Sequence, residues 1–407
     1  MNVKDPISRK QRAAGFSPRG ATNDYRDGLF VTVLPRPGRR RRVTRDPARV
    51  DHGVGTARFI SAMATFAGCA FAGCARPTGS FLTRSEQRLV WPPPPEMPRV
   101  EYLGEFAGSI RASGDGSFAK TWNEFLYGPD HLPSLVTPHA VSMSHDGTRL
   151  AVADPNALCV HVLDLERQTY RRIDGSSEGD ILLRCPVGVA WAGDDLYIVD
   201  GELHAILCVA GTDRTLNRSD GTMGSGRIVA QDSLQRSAGI TYNPVNDRLY
   251  VTDSGQHCVL VFDRSGLLLR SFGTRGGGEG QFNYPSQIAC ASDGSIVVAD
   301  SMNFRVQRFS ADGEFLGMFG QKGDAAGDFA LPKGVAVDAQ GSIWVVDAQF
   351  ENVQAFGSDG RLLMTLGQEG HGPGEFWLPA GVTIDRQQRM WIADSYNRRV
   401  QGFQLLP

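Results

Sequence analysis

The chain has 407 residues, 41% of them hydrophobic, and a formal net charge of −2. That balance hides an asymmetry, since residues 1–58 carry a net charge of +9 and the remaining residues one of −11. An acidic folded part weighs against nucleic acid as a partner, because phosphate binding needs a basic surface, and the seven cysteines include no C-x-x-C pair of the kind that binds zinc.

Residues 1–57 are expected to be a disordered basic segment. They are rich in Arg, Pro and Gly, include the run Arg39-Arg40-Arg41-Arg42, and show no sustained period of 2 or 3.6. We interpret them as an artefact of a wrongly placed translation start. A basic arm that binds nucleic acid or a membrane is the alternative.

Residues 58–74 have the pattern of a secretory signal peptide. A single arginine precedes an apolar stretch that is too short to span a bilayer. The sequence Phe-Ala-Gly-Cys ends at Cys69 and again at Cys74, and each copy resembles the bacterial lipobox, with Phe where that motif prefers Leu. The resemblance implies an exported lipoprotein, acylated at Cys74 rather than Cys69, in the periplasm or on the outer surface. Cleavage without lipidation is the alternative.

Residues 75–98 end in the run Trp91-Pro92-Pro93-Pro94-Pro95-Glu96-Met97-Pro98. Consecutive prolines favour an extended polyproline conformation. We predict a linker that holds a globular domain, residues 99–407, away from the membrane.

The globular part is built from repeats. An apolar quartet that ends in aspartate occurs six times, with successive aspartates 46, 53, 47, 47 and 47 residues apart. The six aspartates are Asp154, Asp200, Asp253, Asp300, Asp347 and Asp394. A period of this length, with short strands and polar turns inside each copy, predicts an all-β, six-bladed propeller of four-stranded blades.

The last three copies carry a specific signature. Residues 272–285, 319–332 and 366–379 share a Gly-rich loop that ends in proline, and Asn303-Phe304-Arg305-Val306-Gln307 returns almost unchanged at residues 397–401. These stretches resemble the NHL repeat, whereas the first three copies are degenerate. The resemblance implies an NHL-type propeller.

The sixth copy lacks an outermost strand, and a matching segment lies at the other end of the domain. Residues 100–108 are similar to residues 313–320, the predicted fourth strand of blade 4. We therefore predict that an N-terminal strand at 100–107 pairs with residues 400–405 and closes the ring, which removes exposed sheet edges.

Between the closing strand and blade 1 lies an insertion at residues 109–137. Phe118, Trp122, Phe125 and Leu126 follow helical spacing, which predicts a short helix with one apolar face. We expect the helix to cover one face of the ring; binding a partner is the alternative.

A functional site in such a ring is expected at the mouth of the central channel. The positions just before the six innermost strands are His139, Val187, Ala238, Ser286, Lys333 and Ala380. They include no carboxylate or amide and one histidine, so the sequence predicts neither a metal site nor a cofactor. His139, Ser286 and Lys333 are the candidate ligand-binding residues, and His139 and Lys333 could bind an anionic group. The alternative is that His139 and Lys333 are solvated residues of the channel mouth without a ligand.

The six repeated aspartates are expected to be structural. Each begins a hairpin turn, where an aspartate accepts hydrogen bonds from nearby backbone. Arg305 and Arg399 follow the aspartate of their copy by five residues, and we expect each to pair with that aspartate or with backbone carbonyls.

Three functions follow from these features, because propellers of this architecture include both binding modules and enzymes. The first is a monomeric, non-catalytic module that binds a protein, a peptide or a glycan in the cell envelope. The second is an enzyme of the lactonase or lyase kind. The third is an RNA-binding propeller, which the acidic charge and the export signal disfavour.

Overall fold

The computed structural model of the protein describes residues 81–107, 134–175, 181–211, 222–223 and 226–407. The described residues are almost entirely strand and turn, with two short 3-10 helices at Pro155–Ala157 and Ser301–Asn303. The strands up to the start of blade 4 are β1 (Val90–Trp91), β2 (Val100–Ala107), β3 (Ala140–Met143), β4 (Arg149–Asp154), β5 (Cys159–Asp164), β6 (Thr169–Ile173), β7 (Pro186–Ala192), β8 (Asp195–Asp200), β9 (Ala205–Val209), β10 (Thr222–Met223), β11 (Arg227–Ala230), β12 (Ser237–Asn243), β13 (Arg248–Asp253), β14 (Cys258–Asp263), β15 (Leu268–Phe272), β16 (Thr274–Arg275) and β17 (Gln281–Phe282). The remaining strands are β18 (Pro285–Cys290), β19 (Ile296–Asp300), β20 (Arg305–Phe309), β21 (Phe315–Phe319), β22 (Pro332–Val337), β23 (Ile343–Asp347), β24 (Asn352–Phe356), β25 (Leu362–Leu366), β26 (Pro379–Ile384), β27 (Arg389–Asp394) and β28 (Arg399–Leu405).

The strands form the six predicted blades, each an antiparallel sheet with its first strand innermost. From the inside outward, the blades are β3-β4-β5-β6, β7-β8-β9-β11, β12-β13-β14-β15, β18-β19-β20-β21, β22-β23-β24-β25 and β26-β27-β28-β2. Two blades gain a fifth, outer strand, because β10 pairs in parallel with β6 and β1 pairs with β2. The prediction of an all-β, six-bladed propeller is confirmed.

The blades pack through buried apolar side chains at the seams between neighbours. Second strands such as β8 and β27 are buried over almost their whole length because another blade covers each face, whereas the outer strand β21 alternates between half-buried and exposed residues. In the described part of the chain, six apolar clusters lie one at each seam. The cluster between the last blade and the first shows that the ring is closed.

The closing strand has the predicted partner. Strand β2 runs antiparallel to β28, from Val100 opposite Leu405 to Ala107 opposite Arg399. Its inward side chains Val100, Tyr102 and Phe106 are buried, the first two at the seam between blades 5 and 6 and the third at the seam between blades 6 and 1. The first strand of the domain thus completes its last blade.

The predicted linker is wrong for residues 81–98, which pack on the propeller. Strand β1 adds to the outer edge of blade 6, and Thr83 exchanges two backbone hydrogen bonds with Glu105 at 2.9 Å. Phe81 is buried at the seam between blades 6 and 1, and Trp91 meets Phe403 edge to face at 5.9 Å. The apolar side chains that precede the prolines account for the difference, because their burial favours docking over a free spacer.

The other predictions about the N-terminal part fall outside the description. Residues 1–57, the signal at 58–74 with Cys69 and Cys74, and residues 109–133 of the predicted helical insertion are not among the described residues.

Candidate functional site

The innermost strands begin on one face of the ring, which we call the upper face. Each second strand ends there in its repeated aspartate, and the loops that lead from one blade to the next lie there too. Side chains at the starts of the innermost strands surround the mouth of the channel.

All six repeated aspartates are fully buried, and their carboxylates accept backbone N–H groups of the segment that enters the blade. Asp253 is representative, since it accepts hydrogen bonds from Gln235 and Arg236 before its blade and from Gly255 and Gln256 in its own turn, at 2.7–3.2 Å. The corresponding bonds occur at Asp154, Asp200, Asp300, Asp347 and Asp394. These carboxylates anchor the segment that enters each blade to the end of the second strand of that blade.

Two arginines extend this network. Arg305 donates its Nε to Asp300 Oδ2 at 2.8 Å. Its other nitrogens donate to backbone carbonyls of the loop between blades 3 and 4, those of Gly277, Gly278 and Gln281. The guanidinium therefore neutralises a buried carboxylate and satisfies loop carbonyls at once.

Arg399 makes the same bonds in blade 6 and one more. It donates to Asp394 Oδ2 at 2.7 Å and to three carbonyls of the loop between blades 5 and 6. Its Nη1 also donates to Glu105 Oε2 at 2.8 Å, which ties β28 to the closing strand β2. In blade 5 the equivalent position is Asn352, whose buried Oδ1 has no hydrogen-bond partner among the described residues.

Blade 1 replaces this network with a Cys-His-Asp arrangement. Cys159 Sγ lies 3.4 Å from His161 Nε2, and that nitrogen lies 3.5 Å from Asp154 Oδ2. All three residues are buried, and burial raises the pKa of Cys159 to about 12. The thiol therefore stays protonated at neutral pH and is no thiolate nucleophile.

The six channel-mouth positions lie where consecutive innermost strands meet. The backbones of neighbouring innermost strands approach closely here, as the glycines that follow Lys333 and Ala380 show. A Cβ added to Gly334 would lie 2.3 Å from the carbonyl oxygen of Ala380, and a Cβ added to Gly381 would lie 2.6 Å from the carbonyl oxygen of His139. Ser286 belongs to this contact, because its hydroxyl donates to the Lys333 carbonyl at 2.8 Å and accepts from Ser301 Oγ at 2.7 Å. The Ser286 hydroxyl is thus engaged between blades, which leaves His139 and Lys333 as the polar side chains open to a ligand.

His139 is held as a neutral imidazole. Its Nδ1 donates to the Val187 carbonyl at 3.0 Å, so the unprotonated nitrogen is Nε2. Burial, and after it the positive charge of Lys333, lowers the pKa of His139 to about 4. At neutral pH, Nε2 is therefore a hydrogen-bond acceptor, and within the described residues it has no partner.

Lys333 is the second polar side chain of the mouth, and its positive charge is felt by the His139 imidazole. Burial lowers the pKa of Lys333, and the described residues provide no carboxylate or other hydrogen-bond partner for Nζ. Partial burial without a counter-ion disfavours the charged form of this amine, and a bound anion would stabilise it. Blade 6 lies between blade 5, which carries Lys333, and blade 1, which carries His139.

We expect the protein to lose stability as the pH falls from 6.5 toward 4, and His139→Gln to reduce that loss. The folded state holds His139 neutral down to a pKa of about 4, whereas the unfolded chain takes up the proton near pH 6.5, so acid favours unfolding. The full effect would be about 3 kcal/mol. Urea unfolding of both proteins between pH 4 and 7 measures it, and parallel curves would contradict the buried, neutral state of His139.

Sequence reasoning missed an exposed aromatic cluster on the upper face of blade 6. It consists of His371, Trp377 and Tyr396, which we call the blade 6 platform. A comparison of the repeats would have found it, because Trp377 stands where other copies have Asn283 and Ala330.

The described residues give no indication of a metal centre or a membrane span. They contain no group of three or more His, Cys, Asp or Glu side chains placed to hold a metal ion. They also include no helix with the length and apolar character that crossing a membrane requires.

One family model matches part of the chain, and several solved structures are similar to it. Residues 240–319 match the family model DUF5128, described as a 6-bladed beta-propeller. A structural genomics protein of unknown function from Bacteroides thetaiotaomicron is similar at 14% identity with a TM-score of 0.52, over 67% of this chain and 70% of that one. A catalytically inactive virginiamycin B lyase from Staphylococcus aureus matches at 13% identity and a TM-score of 0.46, over 67% of this chain and 96% of that one. Kuenenia stuttgartiensis hydrazine synthase matches at 14% identity and a TM-score of 0.45, over 68% of this chain and 98% of that one. At such identities the likeness concerns the fold alone, which is that of a six-bladed β-propeller.

Proposed function

We propose that the protein is a binding module that holds an anionic group of its ligand at the channel mouth. The observation that carries the proposal is the half-buried Lys333 side chain at the mouth, whose Nζ has no counter-ion among the described residues. A lysine ammonium offers three hydrogen-bond donors to a carboxylate or a phosphate. His139 Nε2, on blade 1 of the same mouth, adds an acceptor, so the mouth suits a ligand that carries both an anion and a hydroxyl or amide donor.

The proposal is tested by screening arrays of acidic peptides and acidic glycans with the wild-type protein and with Lys333→Met. We expect at least one anionic class to bind, and its affinity to fall about tenfold or more in the variant, because a desolvated charge contact is lost. Arg308→Met, which changes an arginine of blade 4, is the control for a general loss of positive charge. Absence of anionic ligands, or equal binding by both proteins, would overturn the proposal.

An enzyme of the lactonase or lyase kind remains the second candidate, and the free Nε2 of His139 is the feature that favours it. A base with a pKa of about 4 is a weak proton acceptor at neutral pH, so this side chain is better suited to binding. Hydrolase or lyase activity that disappears in His139→Ala would favour the enzyme. RNA binding is the third candidate, and the net charge of −11 after residue 58 disfavours it.

We also propose that the propeller is of NHL type, that it is monomeric, and that it is exported and lipid-anchored through Cys74 or, as the alternative, Cys69. The recurring Asp, Asn, Arg and Gln of blades 4 and 6 support the repeat type. The two Phe-Ala-Gly-Cys copies support the anchor. A mass spectrum of the mature N-terminus tests it, since an acyl chain on a cysteine supports the anchor and an unmodified N-terminus contradicts it.

A further inference from the structure

The blade 6 platform presents aromatic surface to solvent on the same face as the channel mouth. Trp377 lies between the other two rings, 5.5 Å from Tyr396 and 5.2 Å from His371 between ring centroids. Trp377 remains 41% exposed and Tyr396 45% exposed. Neighbouring exposed aromatic side chains are characteristic of binding surfaces rather than of cores.

The two exposed rings stand on a fixed backbone. The Trp377 backbone N–H donates to the buried Asp394 carboxylate at 2.8 Å, and the Tyr396 N–H donates to the Trp377 carbonyl at 3.1 Å. A surface that is already ordered loses little conformational entropy when a ligand binds.

The fold does not need these aromatic residues. The positions equivalent to Trp377 hold Asn283 and Ala330, and the position of Tyr396 holds Met302 in blade 4. Those blades form the same strands and turns. A role in the propeller's own packing therefore does not account for the two rings.

The platform adjoins the channel mouth. Tyr396 follows Ser395, whose hydroxyl donates to the Pro138 carbonyl at 2.6 Å. Pro138 directly precedes His139 in the chain, so Tyr396 and His139 are each one residue away from this contact between blades 6 and 1. Lys333 stands on the opposite side of blade 6, on the innermost strand of blade 5.

We infer that the ligand is an acidic glycan, in which a sugar carboxylate meets Lys333 and a sugar ring stacks on Trp377 and Tyr396. The inference rests on the proposed function. A hexuronic acid combines in one unit what the face offers to bind: a carboxylate for the ammonium, hydroxyl donors for His139 Nε2, and an apolar C–H face for the aromatic rings. An acidic peptide side chain supplies only the carboxylate.

The test uses tetrasaccharides of galacturonic, glucuronic and mannuronic acid, titrated calorimetrically into the whole protein. We expect at least one to bind, and Trp377→Ala and Tyr396→Ala each to weaken that binding by about tenfold, as for a central aromatic contact. Lys333→Met is expected to weaken the binding similarly. The methyl ester of the same tetrasaccharide lacks the carboxylate charge. We therefore expect the wild-type protein to bind the ester no more tightly than Lys333→Met binds the free acid.

Tyr284→Ala is the matched control, because Tyr284 is 42% exposed and precedes the innermost strand of blade 4, away from the platform. We expect it to leave the affinity unchanged, and melting curves show which variants remain folded. Failure of all three tetrasaccharides, or equal effects of Tyr284→Ala and Trp377→Ala, would overturn the inference. If acidic peptides nevertheless bind in a Lys333-dependent way, the proposed function stands without the glycan; if no anionic ligand binds, both fail.

Discussion

A chain that lacks residues 99–108 is expected to lose its cooperative unfolding transition. Strand β2 lies within this segment and is the outer strand of blade 6, paired along its length with β28. Without it, the apolar clusters on both sides of blade 6 lose Val100, Tyr102 and Phe106. Removal of large buried side chains costs about 3–5 kcal/mol for each aromatic residue, which approaches the whole stability of a typical domain.

Circular dichroism and calorimetry during heating measure this effect. Glu101→Gln is the control, because it changes an outward-facing residue of the same strand whose ion pair with Arg88 is at the surface. We expect a loss of at most about 1 kcal/mol in that variant. A sharp melting transition at the wild-type temperature in the deleted chain would show that the ring does not depend on β2.

Arg399→Ala is expected to lower the free energy of unfolding by about 3–5 kcal/mol. This is the usual cost when one partner of a buried ion pair is removed and the other charge is left buried without a partner. The substitution leaves the fully buried Asp394 without its cation and removes the donor to Glu105 on the closing strand. Arg305→Ala should destabilise blade 4 through Asp300 in the same way, without the effect on ring closure.

The chain provides a matched control at Asn352, the same repeat position in blade 5. Its buried side-chain oxygen has no partner in the part of the chain that the structure describes, so Asn352→Ala is expected to change stability by less than about 1 kcal/mol. Urea unfolding at pH 7 compares the three variants. Equal losses at Asn352 and Arg399 would indicate that the arginine network contributes no specific stabilisation.

The architecture was predictable because two sequence features report the repeat, the recurring aspartates and the similarity of the N-terminal strand to a fourth strand. The spacing of the aspartates from Asp154 to Asp394 sets the number of blades, and each aspartate ends a second strand as expected. The sequence similarity between residues 100–108 and 313–320 identified the closing strand together with its partner. Local patterns suffice where each copy repeats the same backbone hydrogen bonds.

Features outside the repeat were harder to predict. The docking of residues 81–98 depends on tertiary contacts such as that of Trp91 with Phe403, which no local period encodes. The engagement of the Ser286 hydroxyl by Lys333 and Ser301 likewise follows from how neighbouring blades meet. The blade 6 platform departs from the repeat, and only a comparison of equivalent positions would reveal it.

A crystal structure of the protein with a bound hexuronate tetrasaccharide is the most direct test of the proposed binding function. We expect a sugar carboxylate within hydrogen-bonding distance of Lys333 Nζ and a sugar ring in contact with Trp377. A tetrasaccharide bound elsewhere on the propeller, with the Lys333 ammonium still free of any anion, would contradict this account.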